Sequence, residues 1–161
     1  MMAGLKSIAQ RSVLTMQALG TLGVDPEWDA LVTDLLRLDT LAHAEEEFGP
    51  TNKRWDSRAL ERAFAEDRYG KGWESHPEVR PMLDLHAAEA IADEELKYQR
   101  YYRPLWAAQI AVAMATPPTL AAALYKAALI ELAEVWSDAD MQGDCMEILR
   151  ADLHKVCSPP A

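Results

Sequence analysis

Residues 25–50 read DPEWDALVTDLLRLDTLAHAEEEFGP, and they carry a helix with both ends marked. Asp25 is a preferred N-cap, Pro26 suits the first helical position, and Glu27 and Asp29 sit where the helix dipole favours acids. From there Trp28, Leu31, Val32, Leu35, Leu36, Leu38 and Ala42 recur at helical spacing on one face, until Gly49-Pro50 stops the run. The same grammar extends to both sides. Leu5 to Leu19 carries Leu5, Ile8, Ala9, Val13, Met16 and Leu19 as a stripe ending at Gly20.

Downstream, a more polar helix is expected over Asp56 to Arg68, with Trp55, Ala59, Leu60, Ala63 and Phe64 inward. Gly70, Gly72 and Pro77 then form a loop carrying Trp73. The longest helix should run near 81–102, with Leu83, Ala87, Ala90, Ile91, Tyr98 and Tyr101 inward and a break at Pro104, which lacks an N–H and crowds the preceding turn. Leu105 to Ala115 follows. Thr119 can cap the next helix after Pro117-Pro118, with Leu120, Leu124, Ala128, Leu132 and Val135 on its face. Ser137 and Asp140 resemble a capping box that opens a last helix, with Met141, Cys145, Ile148, Leu149, Leu153 and Val156 inward. No stretch alternates as a strand does. The expectation is all-α: one helical domain over 1–161, a bundle of about five to six helices. Ten alanines in residues 107–128 suggest that the helices on either side of Pro117 make the closest pair, because small side chains let helix axes approach.

The 161 residues carry 16 Lys+Arg against 26 Asp+Glu, a net charge of −10. Polyanions such as nucleic acid and anionic membranes are disfavoured partners for such a surface. The charge is uneven: residues 25–49 contribute −7 and residues 131–161 contribute −5. The first twenty residues lack the unbroken apolar run of a secretory signal. The uncharged stretch from Pro104 to Tyr125 is broken by Pro117-Pro118 and reads as two short helices, not a span. Cys145 and Cys157 show no metal-site spacing, so reduced thiols and a cytoplasmic setting are expected.

Phosphate-loop, dinucleotide, nucleophile-elbow and HExxH motifs are absent from the sequence. Two groups could hold a divalent metal. His43 with Glu46, and His86 with Glu89, each place imidazole and carboxylate three apart on a helix, a donor set suited to zinc, iron or manganese between helices. Glu131 and Glu134, followed by Asp144 and Glu147, resemble the paired acidic boxes with which all-α nucleotide pyrophosphohydrolases hold magnesium, although the second box here reads DxxE. Trp73 on its glycine loop, with Met114 and Met141, supplies candidate interface side chains.

The segment Thr116-Pro-Pro-Thr-Leu-Ala-Ala-Ala-Leu-Tyr-Lys-Ala-Ala-Leu, with Glu147-Ile-Leu-Arg-Ala-Asp-Leu-His-Lys after it, resembles small uncharacterised helical proteins of alphaproteobacteria, many from prophage or mobile regions. The resemblance covers mainly the last third, and Ala123 stands where that pattern has glycine. It implies a bacterial, intracellular, helical protein and brings no catalytic residues. The leading expectation is a non-enzymatic module for protein association or self-association, without a cofactor. A metal-dependent enzyme or metal-binding bundle is the alternative, and an acidic mimic of nucleic acid is the third reading.

Overall fold

The computed structural model describes residues 8–135 and 142–158, with side chains from 10 and from 145 onward in those two spans. All regular structure among them is helical, an all-α fold. In chain order these are α1 (Ile8–Leu19), α2 (Pro26–Phe48), α3 (Pro50–Tyr69), a short 3-10 turn (Trp73–Ser75), α4 (Arg80–Lys97), a π-helical turn (Tyr98–Tyr102), α5 (Arg103–Met114), α6 (Leu120–Leu132) and α7 (Gln142–Cys157). They form two compact units, one from Met1–Leu38 with Leu105–Ala161 and one from Asp39–Pro104.

The expected ends of α2 are in place. The Asp25 carboxylate accepts from the backbone N–H of Glu27 at 3.0 Å and of Trp28 at 2.9 Å, satisfying two donors that a helix start leaves open. Thr119 caps α6 in the same way, accepting from the Ala122 N–H at 3.1 Å. Helix α3 begins at Pro50, six residues before the sequence pattern suggests. Pro50 serves as a first helical residue after Gly49, where the Glu45 carboxyl packs so closely that a Cβ would collide with it.

Pro104 does not break the chain's helical course. The Arg103 N–H donates to the Tyr98 carbonyl, five residues back. Widening one turn in this way tolerates the N–H that Pro104 lacks and its crowding of the preceding turn, so α5 follows directly.

In the first unit Trp28, Val32, Leu35, Leu14, Ala18, Val112, Ala122, Tyr125 and Leu129 make the main core. Trp28 and Tyr125 meet edge to face at 6.5 Å. The Trp28 indole N–H donates to the Thr21 hydroxyl at 3.0 Å, which donates in turn to the Ala18 carbonyl at 2.7 Å. A second cluster joins Ala113, Ile130, Val135, Cys145 and Leu149. Helix α6 packs most closely on α7 and α1; the α5–α6 pair that the alanines suggested is looser, since α5 buries only Val112 and Ala113. Val13, Met16 and Leu19, read as the inner face of α1, are exposed, and Leu14 and Ala18 are buried in their place.

Candidate functional site

The second unit holds the feature that sequence periodicity misplaced. In α3 the buried residues are Thr51, Arg58 and Ala65, and in α4 they are His86 and Asp93. Trp55, Leu60 and Phe64, expected inward, are 59%, 62% and 74% exposed; Ile91 of α4 is 74% exposed. The interior seam of this hairpin is polar, and several of its large apolar side chains lie outside among charged ones.

Charge complementarity explains which side turned in. Arg54 and Arg58 stand one turn apart on α3, and both reach the Asp93 carboxylate of α4. The Arg54 Nε donates to Oδ1 at 3.0 Å, its Nη2 makes a second and shorter contact to the same oxygen, and Arg58 Nη2 donates to Oδ2 at 2.9 Å. Arg58 Nη1 lies 3.6 Å from Glu89. The hydrogen bond from Arg54, ahead of the opposing effect of burial, holds the Asp93 carboxyl below the usual aspartate range. One turn further along, His86 Nε2 meets Glu61 Oε2 at 2.9 Å; pairing with a carboxylate places the proton on Nε2. His86 Nδ1 and Arg58 Nη1 are buried with no hydrogen-bond partner.

At one end of the seam the buried Glu45 carboxylate accepts the Thr51 N–H at 3.3 Å and, at shorter range, its hydroxyl. Beside it, Tyr102 on the π turn donates to Glu46 at 2.9 Å, and its phenol is pushed up first by burial and then by that carboxylate. At the other end Tyr69 stacks on His76 at 4.0 Å and donates to Glu78 at 2.5 Å.

The metal candidates take these places. His43 Nε2 lies 3.0 Å from Glu47, closer than the 3.9 Å between its Nδ1 and Glu46. His86 is paired with Glu61, while Glu89 leans to Arg58. Helix α6 ends at Leu132, and Glu134 has a left-handed backbone with φ 53°, so Glu131 and Glu134 do not share a helical face. Glu147 is exposed on α7; the Asp144 side chain, Met141 and the Ser137–Asp140 pair lie outside the described residues. Among the described residues no three His, Cys, Asp or Glu side chains gather as metal ligands. Of the interface candidates, Trp73 is half-buried in the 3-10 turn and Met114 is 41% exposed at the end of α5.

The first unit holds a polar group that the sequence reading passed over. Lys126 is fully buried; its Nζ donates to the Ala115 carbonyl at 2.8 Å and to Asp152 Oδ2 at 2.5 Å. The signal was present, since Lys126 falls one turn from Ala122, Ala123, Leu129 and Ile130, all of which are buried. Both cysteines are free, Cys145 buried and Cys157 exposed. No described helix is long and apolar enough to cross a membrane.

No family model matches the chain, and neither a curated protein nor a solved structure matches it.

Proposed function

We propose that this chain is an association module that binds protein surfaces through the apolar outer faces of its α3–α4 hairpin. The supporting observation is the inversion itself: Arg54, Arg58, Glu61, His86 and Asp93 hold the two helices together, while Leu60, Phe64, Leu85 and Ile91 point away from the seam. Exposed apolar surface of this kind, bounded by charge, is characteristic of protein contacts. Ala59 and Ala63 beside Leu60 and Phe64 leave room for a partner helix to come close. The net charge of −10 favours a protein partner over a polyanion.

Glutamate substitutions test whether these side chains are surface or core. Leu60→Glu and Ile91→Glu should keep full helix content by circular dichroism and shift stability by no more than about 0.5 kcal/mol, the range for surface sites. They should also remove association of the full chain with its partner. A loss of 3 kcal/mol or more in Leu60→Glu would place that residue in a core and defeat the proposal.

A further inference from the structure

We infer that α4 has a second register against α3, one residue along, and that the π turn Tyr98–Tyr102 stores the residue that the slip takes up. In the structure Arg54 pairs with Asp93, Arg58 leans to Glu89 and Glu61 meets His86. One residue further along α4, Leu83, Ala87, Ala90 and Glu94 repeat the spacing of Met82, His86, Glu89 and Asp93. Leu83, Ala87 and Ala90 belong to the face that hydrophobic periodicity sends inward. The observed seam and that face therefore differ on α4 by a single residue, about 100° of helix rotation and about 1.5 Å of rise.

The π turn supplies that residue. Its Arg103 N–H reaches five residues back instead of four, so it holds one residue more than an α turn. Closing it to α geometry advances α4 so that each side chain takes the place its N-terminal neighbour held. The lower end stays put, because Tyr102 donates to Glu46 and the adjacent Glu45 holds Thr51 at the start of α3. Pro104 keeps the turn open: it has no N–H for the Arg100 carbonyl, and its ring would crowd that carbonyl in a closed α turn.

The two registers trade one kind of seam for another. The observed one leaves His86 Nδ1 and Arg58 Nη1 buried without a partner, a cost that an apolar seam avoids. In the slipped register Ala87 and Ala90 replace His86 and Glu89 in the interior, and Glu94 takes over from Asp93 as the carboxylate facing Arg54 and Arg58. Ile91, now 74% exposed, turns to the edge of the seam. His86 turns out to water, and neither helix unwinds.

Disulfide trapping in the full chain tests this, in a Cys157→Ser background where the remaining Cys145 is buried. Glu61→Cys with His86→Cys should close in the observed register, and Glu61→Cys with Ala87→Cys only in the slipped one. Pro104→Ala should accelerate the second closure about tenfold or more, because the proline's penalty on an α turn is gone. Glu61→Cys with Ala88→Cys, off the seam in both registers, should not close with either residue at position 104. Single cysteines read the same change without a crosslink: Pro104→Ala should speed the labelling of His86→Cys, now buried, and slow that of Ala87→Cys, now exposed. Closure of the Glu61–Ala87 pair that Pro104→Ala leaves within about threefold overturns the inference. Closure of the Ala88 pair at the same rate as the Ala87 pair reports fraying and overturns it too. Where a paired variant fails to fold, the two labelling rates decide, and unchanged or opposite shifts in them defeat the slip.

Discussion

Asp152→Ala should release α7 without unfolding the rest of the chain. Lys126 is fully buried and Asp152 is 7% exposed, so the substitution strands an ammonium group in the interior with the Ala115 carbonyl as its remaining partner. Removing one member of a buried ion pair costs about 3–5 kcal/mol. The link ties α6 to α7, and Cys145 on α7 lies in the cluster with Ala113, Ile130, Val135 and Leu149. Its side chain is fully buried, and burial pushes the thiol above its ordinary range. Lowering the cost of local opening by 3–5 kcal/mol raises the open population about 10²- to 10⁴-fold.

Thiol titration with a disulfide reagent reads this directly, because exposed Cys157 supplies a fast internal reference. The wild type should show one fast and one very slow thiol, and in Asp152→Ala the slow phase should accelerate about 10²-fold or more while helix content holds. Lys126→Met with Asp152→Leu removes both charges. It should return the slow phase to within about tenfold of wild type, because an apolar pair replaces a buried ion pair at little net cost and only the Ala115 carbonyl loses a donor. Two results would refute the reasoning: a Cys145 rate in Asp152→Ala within threefold of wild type, roughly the noise of such couplings, or a double variant as reactive as the single one.

The seam of the second unit makes a prediction in pH. The Asp93 carboxyl titrates below its unfolded value because Arg54 holds it ionised, so its contribution is present above about pH 4 and is lost as pH falls through the folded value. Acid titration followed by helix content should show the hairpin loosening below about pH 4, and Asp93→Asn should be less stable at neutral pH with a shallower acid slope; an unchanged slope would detach Asp93 from the hairpin's stability. In the first unit, Thr21→Val should cost about 1–3 kcal/mol in denaturant unfolding, because the buried Trp28 indole N–H loses its acceptor, while the Ala18 carbonyl keeps the residue-21 backbone N–H and loses only the hydroxyl. A loss under about 0.3 kcal/mol would mean that neither bond is held against water.

What could be read from the sequence was local. Asp25 and Thr119 announce helix starts because a cap is settled within three residues, and the α2 face is legible because Trp28, Val32, Leu35 and Ala42 have no competing stripe on that helix. The break expected at Pro104 is not confirmed: the chain accommodates the proline with a π turn over Tyr98–Tyr102, which no local rule singles out. Helix α3 was misread for a different reason. It carries two stripes, Leu60-Ala63-Phe64 on one side and Arg54-Arg58-Glu61 on the other, and hydrophobicity alone sends the first inward. The inward face is chosen by what faces it, and α4 presents His86 and Asp93.

That choice has an energetic consequence. A buried arginine–aspartate seam returns little net stability after desolvation, less than an apolar seam of equal volume. It does make the α3–α4 pairing specific, because Asp93 accepts from two arginines whose positions are fixed by one helical turn. A hairpin joined this way gains specificity from its interior and keeps its apolar surface for the outside. Trp55, Leu60 and Phe64 stay exposed on α3 as a result, and burying them would add apolar stabilisation that the hairpin's own seam does not supply.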